Sequence, residues 1–304
     1  MAKTAAHLCR LGLAAVFLAA GALKLINPGG FARDVADYGI VSGVLASLVA
    51  YALLPLEVAV GTALLLSCRK ILSLSVTIGL LVVFIGAVGF AIATDQPIQG
   101  CGCFGAGAAR TPAQTLAEDI GFLAAGAFAL LVFRRGRPEG ADRAPEPRWK
   151  EIAVIGITAL SAGFMFLAPG LPLDDYATRL RADVEWADLE IPIAEIDLTS
   201  GRHLVAILDL ENGPSDEDLA ALNRLAAEGT SVIGLYEEDE STFSTFFWER
   251  GPAFPLYHVT PGELRTLYRS RPRYFSLSDG RVVGSWPAPP SRQEVETASR
   301  EGES

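Results

Sequence analysis

The chain has 304 residues, half of them hydrophobic, and a formal net charge of −10. That acid excess excludes the basic surface on which nucleic-acid binding depends, and the crowding of apolar residues into the first half excludes a wholly soluble protein. The composition describes a membrane protein with a soluble tail.

Five windows of low charge have the roughly 20-residue length of a membrane helix: 8–26, 44–67, 71–93, 113–133 and 151–168. None alternates as a membrane strand would. The first window, preceded by Lys3 and Arg10, also fits a cleaved signal peptide, but Lys24 and Pro28 fall where a cleavage region belongs. Arg69 and Lys70 separate the second and third windows. Arg134, Arg135, Arg137, Arg143, Arg148 and Lys150 separate the fourth and fifth, on the same side as Lys3 and Arg10. The positive-inside rule then puts the amino terminus in the cytoplasm of a cell membrane and the soluble tail outside it. The Pro-, Arg- and Glu-rich stretch 134–150 reads as a cytoplasmic linker.

Between the third and fourth windows lies TDQPIQGCGCFGAGAARTP, in which Cys101 and Cys103 flank one glycine. Cysteines so close can close only a tight ring, and a strained, exposed disulfide exchanges readily, which suits a redox pair. Two packing residues or a static staple are the alternatives. Cys9 and Cys68 sit at cytoplasmic edges, where thiols stay reduced, and read as spectators. Ionisable residues within the spans are expected to be functional. Lys24 lies near a span end and reads as a snorkelling side chain. Glu57, just after Pro55, lies mid-span, and one of the neighbours Glu118 and Asp119 must face the bundle. Asp119 and Glu57 are therefore candidates for handling the protons that thiol oxidation releases, or else for tying helices together.

Four segments carry a family resemblance: FLAAGALKLINPGGFARDVADYGI, PLEVAVGTALLL, CGCFG and LAEDIGFL. They resemble the MauE/DoxX family of membrane proteins over about residues 5–135, CGCFG being the most specific part. The resemblance implies a four-helix membrane bundle and the handling of disulfides outside the cytoplasm. Its precedents are maturation of the disulfide-rich small subunit of methylamine dehydrogenase and, for DoxX-like proteins, quinone-coupled sulfur oxidation. The layout is also similar to quinone-linked four-helix thiol oxidases such as vitamin K epoxide reductase, by analogy of architecture. A lipid quinone is the implied electron acceptor, and an exported disulfide-containing protein the implied partner.

The tail contains no cysteine. Residues 203–210 read as a buried strand, 215–228 as a helix, 231–236 as a strand and 241–250 as a helix. A hairpin follows at 273–277 and 281–286, around Asp279-Gly280. This order resembles a thioredoxin-like domain, an unrelated α/β domain being the alternative. Pro272 falls where that fold carries its cis-proline, beside a partner-binding groove. Glu211-Asn212-Gly213-Pro214-Ser215 stands where the reactive Cys-x-x-Cys would be, so the tail itself carries no exchange chemistry. His203 and His258 lack metal-ligand spacing and read as structural, no metal being expected, and the acidic run 237–240 reads as a solvated loop.

The predicted organisation is a four-helix domain at 1–135, a linker at 136–150, a fifth membrane helix at 151–169, a degenerate thioredoxin-like domain at 170–290 and a disordered tail at 291–304. The predicted function is a membrane thiol-disulfide redox or maturation factor, the alternative being a non-enzymatic scaffold or chaperone for an extracytoplasmic partner.

Overall fold

The computed structural model describes residues 1–96, 111–136, 147–171, 173–189, 191, 193 and 196–301. They form two compact units, Met1–Leu173 and Asp174–Ser304.

Among its described residues the first unit has six α-helices, α1 (Ala2–Ile26), α2 (Pro28–Asp37), α3 (Gly43–Leu65), α4 (Lys70–Ala93), α5 (Pro112–Arg135) and α6 (Arg148–Leu167). All but α2 are long and apolar enough to cross a membrane, and the protein is a multi-pass membrane protein. Large side chains such as Val82, Val83, Leu131 and Leu160 point outward, as in a bundle whose solvent is lipid. Helices α1, α3, α4 and α5 pack around a shared core that includes Leu13, Phe17, Leu64, Leu81 and Ala129. The short α2, entered through Pro28 and capped by Asn27, lies against α3, and so does α6. Arg10 is buried in α1 and donates to the carbonyls of Leu64 and Leu65, satisfying orphan groups at the carboxyl end of α3.

The second unit is a mixed sheet with helices on its faces. Strands β1 (Arg202–Ile207), β2 (Ser231–Tyr236), β3 (Leu256–His258), β4 (Arg273–Ser278) and β5 (Arg281–Trp286) lie in the order β3-β2-β1-β4-β5. The β1–β2 and β2–β3 pairs are parallel and the β1–β4 and β4–β5 pairs antiparallel. Side chains of the central strand alternate between two cores: Leu204 and Ala206 join Leu222, Leu225 and Tyr274, whereas Val205 and Ile207 join Trp186, Phe275 and Leu267. Helices α8 (Asp216–Ala227) and α9 (Glu240–Arg250) cover the first face, the short α10 (Pro261–Leu264) lies on the second, and α7 (Asp174–Ala177) opens the unit.

Two sequence expectations need correction here. The predicted disordered tail from 291 is instead helix α11 (Arg292–Glu301), started by mutual hydrogen bonds between Ser291 and Glu294 and seated through Val295 and Ser299. The run 237–240 is solvated only in its second half: the Glu237 and Glu238 side chains are only 7% and 9% exposed, whereas Asp239 and Glu240 are exposed, Asp239 capping α9. The three-residue β3 was not expected at all; it is too short to show a period.

Candidate functional site

The site begins where α1 and α3 run closest. At Gly21 an added Cβ would lie 3.0 Å from Val58, and at Gly61 only 2.8 Å from Leu18. Glycine at both crossings lets the two backbones approach as small residues do between membrane helices. Lys24, one turn beyond Gly21, and Glu57, beside Val58, are thereby brought together. Lys24 Nζ lies 2.6 Å from Glu57 Oε1, with side chains 3% and 2% exposed. The ammonium also sits 4.4 Å from the ring centre of Phe31 on α2 and 5.6 Å from that of Phe84 on α4, a favourable position for a desolvated cation. Lys24 is thus a buried partner of Glu57 and not the snorkelling side chain expected from its place near a span end.

Helix α5 supplies the remaining polar groups. Its start is fixed by a capping box in which Thr111 Oγ1 accepts from Gln114 N at 3.3 Å and Gln114 Oε1 accepts from Thr111 N at 3.0 Å. Thr115 and Asp119, four residues apart and so on one face, are 2% and 6% exposed. Of the two acidic neighbours it is Asp119 that faces inward, Glu118 being half-buried. Lys24, Glu57, Thr115, Glu118 and Asp119 line one cavity of about 30 Å³, closed by Phe17, Leu81, Phe84 and Phe122. Glu57 Oε2, Thr115 Oγ1 and Asp119 Oδ2 are buried there without a hydrogen-bond partner among the described residues. Two expected site residues, Glu57 and Asp119, are therefore brought together with Lys24, which the sequence set aside as a snorkelling residue, and with Thr115, which it did not single out. The four-residue spacing of Thr115 and Asp119 was the available signal. The other expected pair, Cys101 and Cys103, lies outside the described residues.

The family model described as Methylamine utilisation protein MauE matches residues 2–132. These residues form a MauE-family membrane domain. No curated protein matches the chain, and no solved structure does. Lys24, Glu57, Thr115 and Asp119 all lie inside the MauE domain, whereas α6 and the mixed sheet lie beyond it.

In the unit beyond the MauE domain, the Arg271–Pro272 peptide is cis. Arg271 lies across the carboxyl ends of β1 and β2. It donates to Glu238 Oε1 at 2.6 Å and to the Leu208 carbonyl at 3.2 Å, with Glu237 and Asp209 at 3.5 and 3.6 Å. Tyr268 Oη donates to Glu237 Oε1 at 3.1 Å. Burial alone would push the Asp209 carboxyl up, but N–H donors from Asn212 and the Arg271 guanidinium outweigh it and hold the group below its ordinary value. The 211–215 loop is pinned at both ends. Asn212 donates twice to Asp209, at 3.0 Å each, and Arg250 Nη2 donates to the Pro214 carbonyl at 2.7 Å. His203 bonds Ser231 and the Ser200 carbonyl, and His258 packs edge-on against Tyr236.

Proposed function

We propose that the protein is a membrane thiol-disulfide redox or maturation factor for exported proteins, with Cys101 and Cys103 as its redox pair. The observation that carries this reading is the connection between the cysteine segment and the buried polar cavity. The 97–110 segment joins α4 to α5, and both helices line the cavity through Leu81, Phe84, Thr115 and Asp119. Asp119 lies seven residues, about 10 Å, into α5, near enough to serve chemistry at that end of the bundle.

In the proposed reaction a dithiol of the partner reduces the Cys101–Cys103 disulfide, so one S–S bond forms in the partner as one breaks here. Reoxidation passes two electrons and two protons to a lipid quinone, giving the quinol. Asp119 and Glu57 handle the protons. The distribution of positive residues supports an arrangement with this chemistry and the carboxyl-terminal unit outside the cytoplasm. The unit's strand order, with β1-α8-β2-α9 followed by a hairpin and α11, supports a thioredoxin-like reading. Lacking cysteine, it presents the partner beside Pro272 and leaves the electrons to the membrane domain. The family's name points to methylamine utilisation, and the resemblance read in the sequence implies maturation of methylamine dehydrogenase as the precedent.

The pinned, cysteine-free 211–215 loop favours a second reading, a scaffold or chaperone that holds an exported partner without redox chemistry. Differential alkylation of Cys101 and Cys103 in intact membranes separates the two. The redox reading requires a pair that converts between thiol and disulfide when partner dithiols or quinone are supplied. A pair that stays in one state throughout leaves only the scaffold.

A further inference from the structure

We propose that the cavity bounded by Lys24, Glu57, Thr115 and Asp119 binds one exchangeable proton, carried on the Asp119 carboxyl and linked through a buried water to Glu57 and Thr115. The inference rests on the proton role given above to Asp119 and Glu57, fixes which of them exchanges, and requires no thiol.

Charge balance is the first argument. The groups facing the cavity are Lys24 from α1, Glu57 from α3, Glu118 and Asp119 from α5, and only Leu81 and Phe84 from α4. One ammonium faces two buried carboxyls: Lys24 bonds Glu57 at 2.6 Å and is held over Phe31, and its charge reaches Asp119 without a direct bond. Even with Glu118 left at the half-buried rim, Asp119 is a surplus carboxyl in an apolar setting. An ionised carboxylate without a counter-charge is so costly there that it takes up a proton instead.

The second argument comes from the orphaned atoms. Three buried oxygens on three different side chains, Glu57 Oε2, Thr115 Oγ1 and Asp119 Oδ2, lack partners among the described residues. The cavity of about 30 Å³ has room for one or two waters, which need two to four polar partners each. One water satisfies all three atoms: it accepts the Asp119 proton, donates to Glu57 Oε2 and exchanges a hydrogen bond with Thr115. Proton transfer to that water leaves the carboxylate and a hydrated proton, and the reverse step restores the acid, with no electron moved. Lys24 is the positioning residue, because it occupies Glu57 Oε1 and so leaves Asp119 as the group that exchanges.

Infrared spectroscopy of the full chain in lipid nanodiscs tests this. The wild type is expected to show a protonated-carboxyl C=O band that fades as pH rises and is unchanged when Na⁺ replaces K⁺. D119N should abolish the band, T115V should shift its position through the lost hydrogen bond, and C101S/C103S should leave it intact. K24M should add a second such band, absent from K24M/E57Q. A band that survives D119N, or no titrating band in the folded wild type, overturns the proposal, as does a band displaced by Na⁺ at constant pH. If D119N fails to fold, the T115V shift and the K24M pair decide the matter. Loss of the band in C101S/C103S would tie the proton to the thiols and overturn the independence claimed here, whereas failure of thiol cycling with the band intact refutes the redox reading alone.

Discussion

Lys24 and Glu57, 33 residues apart in sequence, meet at 2.6 Å inside the bundle. Their pairing satisfies the cation, but it leaves Glu57 Oε2 open toward the cavity it shares with Asp119. Removing one partner of such a pair leaves the other buried without its counter-ion, so that it must stay charged in an apolar site or be forced to its neutral form, either at a cost, whereas removing both leaves no such group. K24M is expected to lower stability by about 3–5 kcal/mol, and K24M/E57L to return it to the wild-type level or above. Thermal unfolding in detergent measures both, and a K24M/E57L protein as unstable as K24M would refute the pairing.

The helix approach that makes this pair possible depends on glycine. A Cβ on residue 61 would fall 2.8 Å from Leu18 Cγ and 3.1 Å from its backbone nitrogen, whereas at Gly79 it would meet nothing within 4 Å. G61A should therefore cost about 1–3 kcal/mol by overpacking. G79A should be neutral or gain up to about 1 kcal/mol from helix propensity. The same unfolding assay, run side by side, checks the contrast.

In the mixed-sheet unit, Tyr274 is fully buried with its hydroxyl unpartnered among the described residues. An unmet buried hydroxyl is a net cost, so Y274F is expected to raise stability by about 1 kcal/mol. Denaturant unfolding followed by hydrogen exchange at β4 reads the change. A destabilised Y274F would mean that the hydroxyl has a partner.

Asp209 gives this unit an acid dependence. Its carboxyl is held below the ordinary value in the folded state, so its contribution to stability is present above the unfolded value of about 3.9 and is lost as pH falls through the folded value. Protection of β1 amides should weaken across that window, and less steeply in D209N. A D209N profile that parallels the wild type below about pH 4 would remove Asp209 from the account.

Much of this architecture is legible in the residues. The five spans follow from length and apolarity, and β2 occupies the short apolar stretch read as a strand, Ser231–Tyr236. Relations that depend on distant partners were not legible. Lys24 looks like a snorkelling residue until Gly21 and Gly61 set the helix spacing. Glu237 and Glu238 look solvated because Arg265 and Arg271, the cations that bury them, come 28 and 33 residues later. Helix α11 was hidden because it buries only Val295 and Ser299 within a strongly polar stretch.

The Lys24–Glu57 contact also bears on how the protein is made. Helices α1 and α3 leave the ribosome separately, and Lys24 in the one and Glu57 in the other each oppose entry into the bilayer on their own, a charged side chain costing about 2.5–3.5 kcal/mol at a helix centre and less near an end. Because the two groups neutralise each other only when the helices are side by side, lateral release into lipid is most favourable for α1 and α3 together. The ion pair thus couples the first span's integration to the arrival of the second, so that the translocation machinery handles the two as one hairpin.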